Sequence, residues 1–311
     1  MASLKEVKTR ITSVTSTKKI TSAMKMVSSA KLKKAQYTIE NIAPYQKRLN
    51  KILNNFLATE TDFSSDYAAV RPLKRVAIVV FSSNTSLCGA FNSNVIKRLK
   101  EVVEEYKELG EQNVVVYPIG RKVSEAVKRL QLTLGGTLDG ERHVLADKPN
   151  FDAMTQVTNT VMDKFLNKEF DKVIVIYHHL KSTAVQKLFT ETFLPLQLSG
   201  QEDKVNQVNQ GDKAQKEDKV AVAGDYIVEP GKQEVLQVLL PKALRMKLYS
   251  CLLDSHASEH GARTVAMQIA TDNADGLIKE LSVLYNKTRQ QTITSELLDI
   301  VSGVAALQGS H

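Results

Sequence analysis

The stretch LDSHASEHGARTVAMQIATDNADGLIKELSVLYNKT, residues 253–288, decides the fold. Read from Tyr249 in alternating steps of three and four, it gives Leu253, His256, His260, Arg263, Met267, Ala270, Ala274, Leu277, Leu281, Leu284 and Thr288. A stripe that holds this step over so many turns predicts a left-handed coiled coil. It resumes with Ile293, Leu297, Ile300, Val304 and Leu307. Working backwards, the helical pattern starts near Lys232, and Pro241 either sits in an early turn or kinks the helix. At ~1.5 Å per residue such a helix exceeds about 100 Å, so it needs something to lie along.

The other end of the chain supplies a partner. Residues 3–58 read as a second long helix, with Leu4, Val7, Ile11 and Val14 on one stripe. Ile20, Met24 and Val27 resume the spacing after a polar gap, and the opposite face carries lysines. Pro44 is expected to bend or break this helix. Two stripes at opposite chain ends pair most simply as an antiparallel coiled coil. The helices differ in length, so the end of the C-terminal one extends alone. Thr17, His256, Arg263, Thr271 and Asn273 lie in or beside the stripes. Such polar positions specify register, or suit a rod whose surface slides past others.

Between the helices the character changes. Residues 59–72 are polar and aperiodic and read as a connector. Arg75–Phe81, Asn113–Pro118 and Asp171–His178 are short β-branched runs typical of buried strands. Helical patterns at Asn92–Leu109, Arg121–Leu130 and Phe151–Asn167 alternate with them. The alternation predicts an α/β domain with a parallel, doubly wound sheet. Residues 200–219, GQEDKVNQVNQGDKAQKEDK, have no apolar period and read as a polar loop.

The formal charge of +8 is unevenly distributed. Residues 1–58 hold twelve Lys or Arg against Glu6 and Glu40, so this segment carries more than the whole excess. An acidic partner is to be sought there. The two cysteines, Cys88 and Cys251, lie far apart without metal-ligand spacing, which fits packed side chains in a reducing compartment. No apolar run is long enough to cross a bilayer, and the Lys-rich start lacks the apolar stretch of a signal peptide. A soluble protein is expected.

Catalytic patterns are missing from the sequence. Gly135–Gly136 is followed by Thr137 and Leu138, not by the lysine of a phosphate loop. There is no G-x-G-x-x-G after a strand and no G-x-S-x-G elbow. His256 and His260 stand four apart on one helical face, as two metal ligands can. Glu259 is misplaced for H-E-x-x-H, however, and both positions fall on the stripe, so polar layers are the expectation. Ser86-Leu87-Cys88-Gly89 follows the first strand, where open sheets often bind ligands. With no His or Asp near Cys88 in sequence, a tight structural turn is expected.

Several longer matches point to a family. Lys18-Lys19-Ile20-Thr21-Ser22-Ala23-Met24-Lys25-Met26-Val27, followed by Ala30-Lys31-Leu32-Lys33-Lys34-Ala35, resembles the N-terminal helix of the gamma subunits of F-type ATP synthases. Asn84-Thr85-Ser86-Leu87-Cys88-Gly89-Ala90-Phe91-Asn92 resembles the family's D-x-G-L-C-G-x-x-N turn, with Asn84, Thr85 and Ser86 departing from it. Ala262-Arg263, Met267, Ala270-Thr271-Asp272-Asn273-Ala274, Tyr285-Asn286-Lys287, Arg289-Gln290, Ile293-Thr294, Glu296-Leu297 and Ile300-Val301-Ser302-Gly303 follow its C-terminal signature.

The resemblance implies a Rossmann-like α/β domain over 73–230, between coiled-coil helices at 1–58 and 232–311. It implies a non-catalytic central stalk in the F1 sector of a proton-translocating ATP synthase, with no cofactor or metal of its own. Such a shaft turns inside the α3β3 hexamer of alpha and beta subunits, and its foot attaches with epsilon to the membrane c-ring. Rotation forces each beta subunit through different nucleotide affinities. Met24, Lys25, Lys31, Lys33, Lys34, Arg289, Gln290 and Thr294 match positions that contact beta in that family, the lysines facing acidic loops. The lack of a transit peptide points to a bacterial protein, peripheral on the cytoplasmic side of the inner membrane and touching it only through the complex.

Two other classes compete. A nucleic-acid-binding coiled coil also uses a basic helix, but these lysines lack interleaved aromatics and the C-terminal helix is not basic. Salt-dependent DNA binding would mark that class. A small-molecule enzyme would use the α/β domain, and a ligand-induced rise in melting temperature would mark it.

Overall fold

The computed structural model describes residues 3–59, 65–135, 140–196, 229 and 231–308; the polar segment 200–219 lies outside them. The elements, in chain order, are α1 (Leu4–Thr59), β1 (Val76–Phe81), α2 (Phe91–Glu105), β2 (Val114–Ile119), α3 (Arg121–Arg129), β3 (Thr133–Leu134), α4 (Gly140–Asp147), α5 (Phe151–Leu166), β4 (Lys172–Leu180), β5 (Gln186–Leu194) and α6 (Lys232–Gln308). The chain divides into two compact units, Met1–Ala30 with Arg263–His311, and Lys31–Ala262.

The first unit is a helix pair. Thr21 Oγ1 lies 2.9 Å from Thr271 Oγ1, and Lys18 forms an ion pair with Asp275. Stepping back three residues on α1 corresponds to stepping forward four on α6, so the helices run antiparallel. Each hydroxyl also reaches a backbone carbonyl of its own helix, Thr21 that of Lys18 at 3.0 Å and Thr271 that of Met267 at 2.8 Å. The Lys18–Asp275 pair is well exposed and adds little stability.

The packed stripes differ from those expected of the sequence. On α1 the stripe runs Val7, Ile11, Val14, Lys18, Thr21, Lys25, Ser28, with an unbroken four–three step. Thr21 and Ser28 are only 9% and 3% exposed, whereas Ile20 and Val27 are 60% and 58% exposed. On α6 the stripe is Met267, Thr271, Ala274, Ile278, Leu281, Tyr285, Thr288, and Leu277 and Leu284 face outward. The expected positions Ile20, Val27, Leu277 and Leu284 are therefore corrected by one residue each. The physical reason is that helical geometry holds the period regardless of polarity. Small Thr, Ser and Ala side chains occupy the seam and allow close backbone approach. Thr17 and Asn273 are likewise exposed.

A direct test follows from this register. Ile278→Ala should destabilise the helix pair by about 1–2 kcal/mol, and Leu277→Ala by under ~0.5 kcal/mol. Hydrogen exchange of the paired segment reads the difference. Equal effects would return the seam to Leu277.

Pairing ends where α1 begins. From Arg289 to Ala305 every residue of α6 is exposed, including Ile293, Leu297, Leu298, Ile300, Val301 and Val304. Among the described residues nothing covers this extra length of α6, in line with the unequal helices. Pro44 does not break α1, contrary to expectation. Its ring is exposed, and the one backbone donor it removes lies on the solvent side of a long helix.

The second unit holds a five-stranded sheet in the order β3-β2-β1-β4-β5. β1 pairs in parallel with β2 and β4, and β2 with β3. β5 pairs antiparallel with β4, so the sheet is mixed and the expected all-parallel arrangement is corrected. The sequence QKLFTETFL holds five polar residues among its nine, is only partly buried until Phe193, and lacks the continuous apolar run of the inner strands. Successive residues of β1 feed opposite faces. Val76, Ile78 and Val80 pack with Val95, Leu99 and Val102 of α2 and with Val123 and Val127 of α3. Ala77, Val79 and Phe81 pack with Met154, Val161 and Phe165 of α5 and with Leu244, Leu248 and Leu252 of α6. Ile39 and Ile42 of α1 lie against that second layer, and Leu32 and Ala35 pack with Ala257.

Candidate partner interface

α1 places its lysines by helical geometry. Lys31, Lys33 and Lys34 are all exposed. At 3.6 residues per turn, Lys31 and Lys34 share a face and Lys33 takes another, flanking the buried Leu32 and Ala35. Lys25 is half-buried in the seam of the helix pair and Met24 half-buried beside it. None of these four lysines has an ion-pair partner among the described residues, so their charge is available to an acidic surface. Arg289, Gln290 and Thr294 are exposed on the unpaired end of α6, where the Thr294 hydroxyl donates to Gln290 O at 2.9 Å. The structure thus divides the eight expected contact residues between the two units and gives no further sign of what they touch.

The apolar residues outside the seam were not singled out by the sequence. Met26 and Val283 are 68% and 70% exposed, and Ile20, Val27, Ile269, Leu277 and Leu284 share that outer surface with them. A helix pair designed for water carries charge there. So many large apolar side chains mark a surface that something covers. The signal was present: once the strict three–four step is followed through Thr21 and Ser28, Ile20, Met26 and Val27 fall outside it.

The turn after β1 is held by a network of side-chain hydrogen bonds. Cys88 is buried, and Asn92 Nδ2 donates to its sulfur at 3.1 Å and to Ser83 Oγ at 2.8 Å. Ser83 N donates to Asn92 Oδ1, and Ser83 Oγ donates to Thr85 O at 2.6 Å. Asn84 ties two further segments, accepting from Arg121 N at 2.9 Å and donating to His143 O at 2.6 Å. Leu87 and Gly89 both adopt positive φ. These polar groups are spent on holding the turn, as expected of it. The other thiol, Cys251, is fully buried, and that burial pushes its pKa upward, away from a nucleophilic thiolate.

The β4–β5 end carries the unit's clearest charge contacts. His179 Nδ1 lies 2.8 Å from Asp254 Oδ2, and this hydrogen bond raises the imidazole pKa. Tyr177 donates to Glu191 at 2.9 Å, with Lys247 3.7 Å from the same carboxylate. These contacts fasten the sheet edge to α6. Among the described residues no cluster of three or more His, Cys, Asp or Glu is arranged to hold a metal, and no helix is long and apolar enough to cross a membrane.

Comparison with known proteins places the chain. A family model described as ATP synthase matches residues 3–307. The ATP synthase gamma chain of Bacteroides fragilis is 53% identical over 306 residues, covering 98% of this chain and all of that one. The gamma chain of Phocaeicola vulgatus is 54% identical over the same length and coverage. Among solved structures, a chain of the Euglena gracilis mitochondrial ATP synthase, in an assembly of OSCP, F1 and c-ring, aligns with a TM-score of 0.62. At 19% identity it covers 98% of this chain and 95% of its own, and shares the fold.

Proposed function

Because the chain belongs to the ATP synthase gamma chain family, we propose that it is the non-catalytic central shaft of a bacterial F1 sector. In this reading α1 and α6 stand inside an α3β3 ring of alpha and beta subunits, and the α/β unit, with epsilon, meets the c-ring. The complex lies peripherally on the cytoplasmic side of the inner membrane.

The observation that carries this reading is the unfinished surface of the helix pair. Its outside is rich in exposed apolar residues, and α6 continues through Arg289–Ala305 fully exposed among the described residues. Each large apolar side chain covered by a sleeve contributes about 1.5–3 kcal/mol of burial. A sleeve therefore has reason to close on this shaft.

The mechanism follows from asymmetry. The pair is two unequal antiparallel helices, so it presents a different profile in each direction. A shaft can bias beta subunits only by contacting their conformations unequally, and a rod with identical contacts all round would shift nothing. Met24, Lys25, Lys31, Lys33 and Lys34 would meet acidic loops of beta low on the shaft, and Arg289, Gln290 and Thr294 would meet beta higher up. Thr21 and Thr271 satisfy each other inside the pair, so torque passes through a seam without unsatisfied hydroxyls there.

The test is ATPase turnover of purified α3β3 from the same source, with and without the chain. The expected result is one copy per hexamer on a sizing column and restored steady turnover. The triple reversal Lys31→Glu, Lys33→Glu, Lys34→Glu should leave the helix content unchanged and reduce coupled turnover by roughly threefold to tenfold, through loss of charge attraction. A chain that neither joins the hexamer nor alters its turnover would overturn the assignment.

A further inference from the structure

We propose that Met26 is an oxidation site of the free chain, and that its sulfoxide weakens entry of the shaft into the α3β3 ring. The sequence holds seven methionines and two cysteines, of which Met1 lies outside the described residues. Met154, Met162 and Met267 are buried and Met24 and Met246 half-buried, whereas Met26 is 68% exposed. Both cysteines are buried. Among the described residues Met26 therefore carries the sulfur that a small oxidant in water reaches most easily. The local sequence explains why. The seam passes through Lys25 and Ser28, which leaves Met26 on the outer side of α1. Its neighbours one turn away on that side are Ser22, Ala23, Ser29 and Ala30. Four short side chains leave the long thioether standing clear of the helix.

Hydrogen peroxide supplies the oxidant. A sulfur lone pair attacks one peroxide oxygen and the O–O bond breaks. The departing hydroxide takes the proton left on the transferred oxygen and leaves as water. Sulfur is oxidised to the sulfoxide, and peroxide is reduced to water. The product is polar where the parent was apolar, and epimer-specific reductases restore the thioether, a dithiol taking up the oxygen as water. The effect on assembly rests on the shaft reading. A sleeve that closes over Met26 must strip water from the new S–O dipole, which opposes burial. Once covered, the sulfur is out of reach, so the chain is vulnerable before it joins the ring.

The experiment treats the full chain with graded hydrogen peroxide and maps the product by peptide mass spectrometry. Met26 should gain one oxygen at least roughly fivefold faster than Met24, Met154, Met162, Met246 or Met267. Oxidised and untreated chains are then titrated into labelled α3β3 from the same source. Oxidation should weaken binding roughly threefold to thirtyfold, and treatment with both epimer-specific reductases should restore it. The ratio of affinities with and without peroxide should fall to unity in Met26→Leu and persist in Met24→Leu. Faster oxidation of another methionine would overturn the site. Unchanged affinity in a chain fully oxidised at Met26 would overturn its effect on assembly. Failure of the untreated chain to bind would overturn the shaft assignment and that effect together, and the oxidation map alone would then decide the site.

Discussion

Replacing Gly120 by alanine is expected to destabilise the α/β unit by about 3 kcal/mol or more, the sum of backbone strain and steric overlap. Gly120 has φ +104° and ψ 149°, a region essentially closed to residues with a Cβ. A Cβ there would also stand 2.1 Å from the carbonyl oxygen of Ser82 and 2.7 Å from its carbon. These are backbone atoms and cannot swing aside. They are also pinned: Ser82 N donates to Ile119 O at 2.8 Å, Val123 N to Ser82 Oγ at 3.0 Å, and Lys122 N to Ser83 O at 3.1 Å. The carboxyl ends of β1 and β2 are thus knitted around a site with no room for a methyl group.

Gly110 separates the two contributions. Its φ of +89° carries the same kind of backbone strain, but a Cβ there would meet nothing closer than Asn113 Nδ2 at 3.9 Å. Gly110→Ala should therefore cost only about 1–3 kcal/mol. At Gly276, on α6, a Cβ meets nothing within 4 Å, and alanine should gain up to ~1 kcal/mol through helix propensity. Urea unfolding of the three variants should rank them in that order. If Gly120→Ala proves no worse than Gly110→Ala, the close approach to Ser82 is not what fixes this turn.

The sequence disclosed the architecture better than its surfaces. The long helices, the three inner strands and their crossover helices each carry a strong period or a continuous apolar run. β5 was hidden because a one-sided edge strand needs only half its residues apolar. The seam was misread by one residue at Ile20, Val27, Leu277 and Leu284 because apolar character was followed where geometry kept the step. The contact lysines are a different matter. Lys31, Lys33 and Lys34 are exposed charges, and nothing in a single chain distinguishes a solvated lysine from one awaiting an acidic loop. Family resemblance supplied them. Exposure of Met26 and Val283, which only the folded helices reveal, supplied the independent sign of a covering partner.

The acid sensitivity of the α/β unit should centre on His178. This residue is 2% exposed on β4, stacked on Phe91 with centroids 4.2 Å apart, and its Nδ1 has no hydrogen-bond partner. Burial without a counter-charge disfavours the imidazolium and lowers its pKa from 6.5 to about 4. Between those values the unfolded chain binds the proton that the folded chain refuses. Stability therefore rises with pH across this window, is at its full level above the unfolded value, and is lost as pH falls from about 6.5 towards 4. The loss attributable to this group is about 3 kcal/mol on reaching pH 4, from a shift of roughly 2.5 units. His179, whose pKa is raised by Asp254, works in the opposite sense: its contribution is present at low pH and disappears as pH rises through its folded value. Carboxylates elsewhere titrate too, so the informative quantity is a difference between proteins. His178→Phe keeps a ring against Phe91 and removes the proton site. Its unfolding free energy should draw ahead of the parent's steadily below pH 6.5, by up to about 3 kcal/mol near pH 4. Parallel curves for the two proteins would place the acid-sensitive group elsewhere.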